Sequence, residues 1–483
     1  MIPKSFPFGS ATAQAAALRA GKVSSVELLK AYLARVDRFN PALNALVVDD
    51  RKVALQRARA ADRALAKGEV WGPLHGLPMT VKESFDLVGH PTTWGHLPRK
   101  AHVAKQDALA VQRLKAAGAV IFGKSNVPLN LADFQSYNAV YGTTNNPWDL
   151  KRGPGGSSGG SAAMVAAGLS ALEYGSDIGG SIRNPAAYCG VYGHKSTWCI
   201  VPKRGHSLAP KPGAEADLSV IGPLARSAGD LALALKLTVG ADDLNARGLV
   251  YKLPPAPKRV KGLRVAVWLD QDIAPVDDSV KTRIEAAARV LAKAGAKVDF
   301  KARPDFDPAQ AHRVYSLLLN ANLAARRADQ ADLMAARARL RDDDLSEHAL
   351  ALRAATASYK EVFDANQQRE HLRWAWNDFF GRFDTVLMPI TATAAFPHDQ
   401  SEPMPARTMR INGADRSYLA QLFWAGLATA PFLPSTVAPV GLTAEGLPVG
   451  MQIVGPEFAD LSTIWLAGEL AGLIGGYQPP PGY

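Results

Sequence analysis

Two glycine–serine clusters, separated by an apolar segment, constrain the fold of this chain more than any other feature of its sequence. The clusters occupy residues 155–161 and 177–181, and the segment 162–172 between them is almost entirely apolar. A flexible linker does not alternate with so apolar a segment. The pattern therefore predicts a loop, a buried helix and a second loop, with both loops meeting at one site. Glycine lets backbone N–H groups approach a ligand closely, while serine supplies hydroxyl groups.

The length of 483 residues would allow two or three domains, but a single α/β domain with insertions also reaches this size. Hydrophobic residues make up 47% of the chain, which is enough for a large core. The apolar segment 162–172 is shorter than the roughly 18 residues that a membrane helix needs, and the N-terminus has no signal-peptide pattern. Cys189 and Cys199 are the only cysteines and form no disulfide framework. We therefore expect a cytoplasmic protein with no membrane partner.

The formal net charge is +11, which matters for nucleic-acid binding only where basic residues are concentrated. The densest basic segment is interleaved with acidic residues, which predicts a solvated helix face and no nucleic-acid partner. Its basic members are Arg326, Arg327, Arg337, Arg339 and Arg341, and its acidic members are Asp329, Asp332 and residues 342–344. The ten histidines are scattered and match no metal-binding spacing, so we expect neither a metal nor another cofactor.

Alternating strand and helix signals run along most of the chain. Ser24 and Glu27 have the spacing of a capping box before a helix, and a second helix is predicted over 51–66. A short apolar run over 77–81 predicts a strand that ends in Lys82. A lysine buried there would have a lowered pKa, because burial disfavours the charged form. The alternative is a surface lysine at the point where the strand emerges.

The remaining signals complete an α/β pattern with one long helical region. Helices are predicted over 108–117, 228–237, 278–294 and 312–383, and strands over 119–123, 263–269, 296–300, 385–390, 438–442 and 447–454. We therefore predict one large α/β domain over 1–483, with a mixed twisted sheet covered by helices on both faces. Its core would span about 60–250 and 384–460, and a helical cap inserted over about 300–383 would shape the substrate pocket.

The two clusters favour acyl transfer over nucleotide binding. A phosphate-binding loop would need a lysine where Gly160, Ser161 and Ala162 stand, and the dinucleotide-binding pattern lacks its flanking context. Acyl transfer needs backbone N–H donors that converge on one oxygen and a hydroxyl poised to attack, which Ser181 and its preceding glycines supply. The base could be a histidine, His194 or His206, although no nucleophile-elbow motif surrounds Ser181. A neutral lysine is the other candidate, and Lys82 is placed to be one.

Several segments together resemble the amidase signature family, and the resemblance covers nearly the whole chain. The matching segments are 76–82, 155–161, 175–183, 185–190 and 446–456. The resemblance implies a Ser–cis-Ser–Lys triad in which Ser181 is the nucleophile of an acyl-enzyme. Ser157 would follow a cis peptide bond and relay protons, and Lys82 would be the base.

The resemblance also implies the surroundings of the triad. The N–H groups of Ile178, Gly179, Gly180 and Ser181 would form the oxyanion hole. Asp177 and Arg183 would brace the loop by an ion pair, with Ser176 as a supporting hydroxyl. The implied activity is hydrolysis of the C–N bond of a small-molecule carboxylic amide, with esters, anilides or carbamates as further substrate classes.

Three features leave the substrate and the partners open. The sequence departs from the family pattern at Glu83 and Ser84 and again at His194 and Ser196, which affects the pocket wall rather than the triad. Ser158 beside Ser157 has the character of a helix N-cap. Aromatic residues predict a pocket for an apolar or aryl group: Phe134, Tyr137, Tyr141, Phe423, Trp424 and Phe432.

Two other functions are compatible with this signature. One is the glutamine-hydrolysing subunit of a tRNA-dependent amidotransferase, which would act with a partner protein. The other is a catalytically inactive binding protein of the same fold, against which the joint presence of Lys82, Ser157 and Ser181 argues. A homodimer is also left open.

Overall fold

Two sheets and two small hairpins make up the strands of the computed structural model, which describes residues 3, 5–208, 213–325, 329–341, 343–344 and 347–483. In chain order, the strands are β1 (Leu46–Asp49), β2 (Pro78–Lys82), β3 (Val120–Ser125), β4 (Tyr137–Asn138), β5 (Gly142–Thr143), β6 (Glu173–Asp177), β7 (Tyr192–Lys195), β8 (Val220–Ala225), β9 (Arg264–Val267), β10 (Lys297–Asp299), β11 (Thr385–Pro389), β12 (Thr408–Ile411), β13 (Ala414–Ser417), β14 (Ser435–Leu442) and β15 (Pro448–Val454).

The larger sheet has eight strands in the order β10-β9-β11-β15-β14-β7-β8-β6. Strands β9, β10 and β11 pair in parallel, as expected for strands that are connected by helices. The remaining neighbours pair antiparallel. The sheet is therefore mixed, as predicted.

A separate sheet of three strands, in the order β1-β3-β2, carries Lys82 at the end of β2. Strands β2 and β3 are parallel, and Lys82 stands opposite Ser125 in their register. The sequence signals for β2 and β3 are confirmed, but they do not separate these strands from the main sheet. Strand β2 instead contacts the start of β6, where Thr80 N donates to Leu172 O.

Fourteen α-helices surround the strands in the described part of the chain. They are α1 (Ala11–Arg19), α2 (Ser25–Leu43), α3 (Arg51–Ala66), α4 (Leu109–Ala116), α5 (Gly159–Ala166), α6 (Arg183–Cys189), α7 (Ala228–Thr238), α8 (Asp278–Lys293), α9 (Pro308–Ala324), α10 (Gln330–Arg337), α11 (Glu347–Ala355), α12 (Tyr359–Arg382), α13 (Leu422–Thr429) and α14 (Asp460–Ile474). None of the helices that the structure describes is both long and apolar enough to span a bilayer.

Helices cover both faces of the main sheet. On one face α8 and α14 pack against β14, with α7 beside α14, and on the other α6 packs against β14 and β15, with α5 beside it. Successive side chains of β14 face opposite sides of the sheet. Val437 packs with residues of α6, whereas Ala438 packs with the core that contains α8 and α14. The predicted fold class, one large α/β domain with a mixed sheet, is confirmed.

The capping box is confirmed at the start of α2, where Ser24 Oγ accepts from Glu27 N and Glu27 accepts from Ser24 N. The predicted helix over 162–172 is wrong in its bounds. Helix α5 begins three residues earlier, at Gly159, and ends at Ala166, and the chain then turns through Gly168 at φ +63° to enter β6. An apolar run alone cannot separate a buried helix from the buried strand that follows it.

In the described residues, the region between β10 and β11 contains helices α9 to α12. Two predicted features of it differ from the structure or lie outside it. The spacing of Trp374, Trp376, Phe379 and Phe380 in the sequence predicts a packed helix face, but 66% of the surface of Trp374 is exposed. Of the basic segment, Arg337 pairs with Glu361 and Arg341 with Asp343, while Arg326, Arg327 and Asp342 lie outside the described residues.

Candidate active site

Lys82 is wholly buried at the end of β2, so the surface-lysine alternative is wrong. Its Nζ donates to Ser157 Oγ at 2.7 Å and to Ser176 Oγ at 2.9 Å. Burial lowers the pKa of this lysine to about 7, although the charges of Asp177, Glu173 and Glu83 act in the opposite direction. An amine with such a pKa is partly neutral at physiological pH and can accept a proton from a hydroxyl.

Ser157 follows a cis peptide bond, Gly156–Ser157, at the end of the first glycine–serine loop. The loop is pressed against the chain that precedes it. A Cβ atom on Gly156 would lie 2.2 Å from Asp133 O and 2.5 Å from Gln135 O, so no larger residue fits. Glycine at this position lets the backbone carry Ser157 to the end of the Lys82 side chain.

Ser158 joins the two loops rather than capping a helix with its side chain. It occupies the N-cap position of α5 but makes no side-chain cap, and its Oγ instead donates to Ser176 O at 3.3 Å. Its backbone N–H donates to Ser181 O at 3.0 Å. The two glycine–serine loops therefore meet at one site, as the sequence pattern predicts.

The second loop is braced by an ion pair between Asp177 and Arg183, whose side chains are both inaccessible to solvent. Asp177 accepts from Arg183 Nη2 at 2.9 Å and from Arg183 Nε at 3.0 Å. Burial alone would raise the pKa of the Asp177 carboxyl, but the Arg183 guanidinium outweighs it and the pKa falls to about 2. The carboxylate is thus ionised at every pH at which the protein would work.

Gly180 is also held by this carboxylate, because its N–H donates to Asp177 Oδ1 at 2.9 Å. The Gly180 N–H, a predicted oxyanion donor, is therefore engaged by the Asp177 carboxylate in this arrangement. In the described part of the chain, the N–H groups of Ile178, Gly179 and Ser181 donate to no backbone oxygen of a loop, turn or helix cap. Ser181 retains 7% exposure, against 1% for Ser157 and none for Lys82, so Ser181 is the most exposed of these three residues.

Three of the predicted pocket aromatics lie in the segment of the chain that precedes the first loop. Phe134 packs edge-on against Tyr418, and Tyr137 donates to Asp133 Oδ2 at 3.0 Å. Tyr141 donates to Glu83 Oε1 at 3.4 Å, and the same carboxyl accepts from Thr93 N. Glu83 thus holds the loop that follows β2, since its carboxyl accepts from the backbone N–H groups of Thr93 and Trp94.

The other three predicted pocket aromatics divide between the core and the second loop. Trp424, a predicted pocket residue, lies in the core, where it is wholly buried against Trp268 and donates to Ala274 O. Phe423 packs on the same tryptophan. Phe432 instead stacks on Trp198 at 4.6 Å, in an apolar cluster against which Ile178 packs. These residues share one aromatic-rich stretch of sequence, and only the fold separates them.

The histidine alternatives for the base are engaged elsewhere. His194 is wholly buried, with Nδ1 against Thr436 Oγ1 at 2.9 Å and Nε2 against Asp460 Oδ1 at 3.0 Å, so neither nitrogen is available to a serine. His206 Nε2 lies 2.9 Å from Ser84 Oγ. In the described part of the chain, no group of three or more histidine, cysteine or acidic side chains could hold a metal ion.

Two residues near the site were missed by the sequence reasoning. Glu173 begins β6, is wholly buried, and has its pKa raised to about 7 by burial. A charged residue directly after the apolar segment 162–172 was a usable signal of a functional group. Tyr315 on α9 donates to Ile178 O at 2.9 Å, and no motif surrounds it that could have predicted this contact.

Comparison with known proteins gives the same family as the residues. A family model described as Amidase matches residues 27–464. The chain belongs to the amidase signature family. It is 34% identical over 475 residues to a glutamyl-tRNA(Gln) amidotransferase subunit of Acidothermus cellulolyticus, covering 92% of this chain and 90% of that one.

Two further amidase signature proteins are similar over most of their length. Indoleacetamide hydrolase of Bradyrhizobium diazoefficiens is 34% identical over 455 residues, covering 92% of this chain and 82% of the relative. The structure of a bacterial aryl acylamidase superposes with a TM-score of 0.80 at 26% identity, covering 96% of each chain. These relatives include both hydrolases and a component of an amidotransferase.

Proposed function

We propose that this chain is an amidase that hydrolyses the C–N bond of small carboxylic amides through an acyl-enzyme on Ser181. The observation that carries the proposal is the wholly buried contact of 2.7 Å between Lys82 Nζ and Ser157 Oγ. A neutral lysine bonded to a serine is a base with a proton relay, and the relay adjoins the loop that bears a second, more exposed serine. Both free cysteines, Cys189 and Cys199, fit the expected reducing cytoplasmic setting.

In the proposed first half-reaction, Ser181 Oγ attacks the amide carbonyl carbon and its proton passes to Ser157 Oγ. Ser157 passes its own proton to Lys82 Nζ. The carbonyl oxygen becomes an oxyanion, and the N–H groups of Ile178, Gly179 and Ser181 are the donors for it. The C–N bond then breaks, and the leaving amine takes the proton back from Lys82 through Ser157.

In the second half-reaction, water attacks the acyl-enzyme and gives its proton to the same relay. The Ser181 ester bond breaks, the carboxylic acid leaves, and Ser181 Oγ regains its proton. The products are one acid and one amine or ammonia, with no net change in the enzyme.

An apolar or aryl substituent is the proposed substrate class. The stacked rings of Trp198 and Phe432 and the side chain of Ile178 belong to one apolar cluster, which offers apolar surface to such a group. The similarity to an aryl acylamidase supports the same class.

A panel of alkyl, aryl and amino-acid amides tests the proposal, with wild type beside Ser181→Ala. We expect the purified chain alone to release amine from aryl or bulky apolar amides and the variant to release none. Full activity in Ser181→Ala would contradict the mechanism. Anilides, esters and carbamates with the same acyl group would delimit the bond that is cleaved.

The second candidate is the glutamine-hydrolysing subunit of an amidotransferase, favoured by the 34% identity to such a protein. It predicts hydrolysis of glutamine in preference to aryl amides, and dependence of the rate on a partner protein. An inactive binding protein predicts no turnover of any amide. The same panel therefore separates all three functions.

A further inference from the structure

Tyr315 connects the helical region to the second loop of the site. It lies on α9, and its hydroxyl donates to Ile178 O at 2.9 Å. The side chain is 1% exposed, and burial raises the pKa of its phenol well above the usual range. The hydroxyl therefore keeps its proton and acts as a hydrogen-bond donor at every working pH.

The carbonyl that Tyr315 holds belongs to the same peptide unit as the N–H of Gly179. A peptide unit is planar, and in the trans form its C=O and N–H point in opposite directions. The described cis peptide bonds are Gly156–Ser157 and Glu402–Pro403, so the unit of Ile178 and Gly179 is trans. Fixing the carbonyl toward Tyr315 therefore fixes the Gly179 N–H on the opposite side of the loop.

Glycine at position 426 lets the tyrosine approach this closely. A Cβ on Gly426 would lie 2.4 Å from Cδ1 of Tyr315, so the ring rests on bare backbone of α13. A Cβ on Gly179 would lie 3.5 Å from the Tyr315 hydroxyl and 3.2 Å from Leu422 Cδ2. The ring is thus clamped between α13 and the loop, and the hydroxyl has one backbone acceptor within reach.

We propose that Tyr315 is a positioning residue that aims the Gly179 N–H at the carbonyl oxygen of the scissile amide. This inference rests on the proposed function. Without the tyrosine, the peptide unit could rotate about its flanking bonds, because glycine at 179 restrains it little. The donor would then need to be ordered at the moment when the oxyanion forms.

The position of Tyr315 would link the choice of substrate to the reaction rate. Tyr315 and Phe432 belong to the same apolar cluster, which also contains residues of α9 and α12. A substrate group that displaces this cluster would move α9 and so reorient the donor. A poorly fitting amide would then be penalised in turnover as well as in binding.

Tyr315→Phe tests the inference, since it removes the hydroxyl and keeps the ring. We expect kcat to fall about 10-fold or more, within the loss of roughly 100- to 1,000-fold that follows removal of a whole oxyanion donor, while KM stays within about twofold. Tyr477→Phe is the matched control, because Tyr477 also donates to a backbone carbonyl, Ala166 O at 2.8 Å. Its kcat should stay within about twofold of wild type.

A second readout separates donor geometry from general damage. An aldehyde analogue of the best amide substrate forms a tetrahedral adduct with Ser181, and its affinity should fall in Tyr315→Phe by the same factor as kcat/KM. Binding of the intact amide to the Ser181→Ala background should not change. Gly426→Ala, which displaces the ring but keeps the hydroxyl, should produce the same loss selective for kcat.

The outcomes distinguish the two proposals. If wild type cleaves amides, Ser181→Ala is inactive and Tyr315→Phe keeps the wild-type kcat, the role of Tyr315 is overturned and the proposed function stands. If wild type cleaves none of the amides in the panel, the proposed function itself fails. Equal losses in Tyr315→Phe and Tyr477→Phe would overturn the inference by showing a structural effect alone.

Discussion

Lys82 Nζ and Ser157 Oγ lie 2.7 Å apart where the lysine has no contact with solvent, although they are separated by 75 positions in the chain. Strand β2 carries the amine, and the glycine loop before α5 carries the hydroxyl. The contact places a basic group of lowered pKa directly on the first relay atom, and the first two predictions follow from it.

The rate should rise with pH across neutrality. The pKa of Lys82 is lowered to about 7, so the neutral amine is the minor form below that pH and the major form above it. We expect kcat/KM to fall on the acid side of about pH 7 and to reach a plateau above about pH 8. A pH profile of kcat/KM measures this, and Lys82→Ala should lower the rate at least about 100-fold. A flat profile between pH 5 and 8 would exclude Lys82 as the base.

Glu173→Gln should move the upper part of that profile, near and above pH 7, toward lower pH. The Glu173 carboxylate acts to raise the pKa of Lys82, but burial raises the pKa of Glu173 itself to about 7, so this carboxyl is mostly charged only above that pH. The variant should therefore approach its plateau rate at a lower pH than wild type, while the two profiles coincide well below pH 7. Glu445→Gln, at an exposed carboxyl paired with Arg152, is the control and should leave the profile in place. An unmoved profile in Glu173→Gln would mean that the two groups do not interact.

Asp177→Asn should lower the free energy of unfolding by about 3–5 kcal/mol, because it leaves the buried Arg183 guanidinium without its counter-charge. Urea denaturation measures the change. The exposed pair of Lys360 and Asp364 supplies the control, and Asp364→Asn should change stability by less than about 0.5 kcal/mol. Similar values for the two variants would contradict the bracing role of the buried pair.

Gly156→Ala should abolish most amidase activity. The added Cβ would overlap Asp133 O at 2.2 Å, so the segment that carries Ser157 must shift away from Lys82. Gly472→Ala on α14 is the control, because its Cβ would meet no atom within 4 Å. That variant should keep full activity and gain about 0.5–1 kcal/mol of stability, since alanine favours the helix. Activity is measured on the best substrate, and thermal unfolding verifies that both variants fold.

The sequence predicted the elements whose signals are local. The capping box at Ser24 and the strand ending in Lys82 depend on residues within one short window, and both are found. The assembly of two glycine–serine loops at one place was also predictable, because a flexible linker does not alternate with so apolar a segment.

Features that depend on contacts between residues far apart in the chain could not be predicted in this way. Nothing near Lys82 in the chain indicates that β2 joins a second sheet rather than the main one. Trp424 and Phe432 are only eight positions apart and equally aromatic, but one lies in the core and the other beside Ile178. Engagement of the Gly180 N–H by Asp177 depends on side-chain geometry that spacing does not determine.

The division of the strands into two sheets has a consequence for how the protein reaches its working state. Lys82 belongs to the three-stranded sheet, while Ser176 and the loop that follows it extend from the edge strand of the eight-stranded sheet. Each sheet can pair its own strands before the two meet. On refolding, recovery of activity should therefore lag behind the far-ultraviolet circular dichroism signal, and turnover becomes a kinetic reporter of the docking of one sheet onto the other.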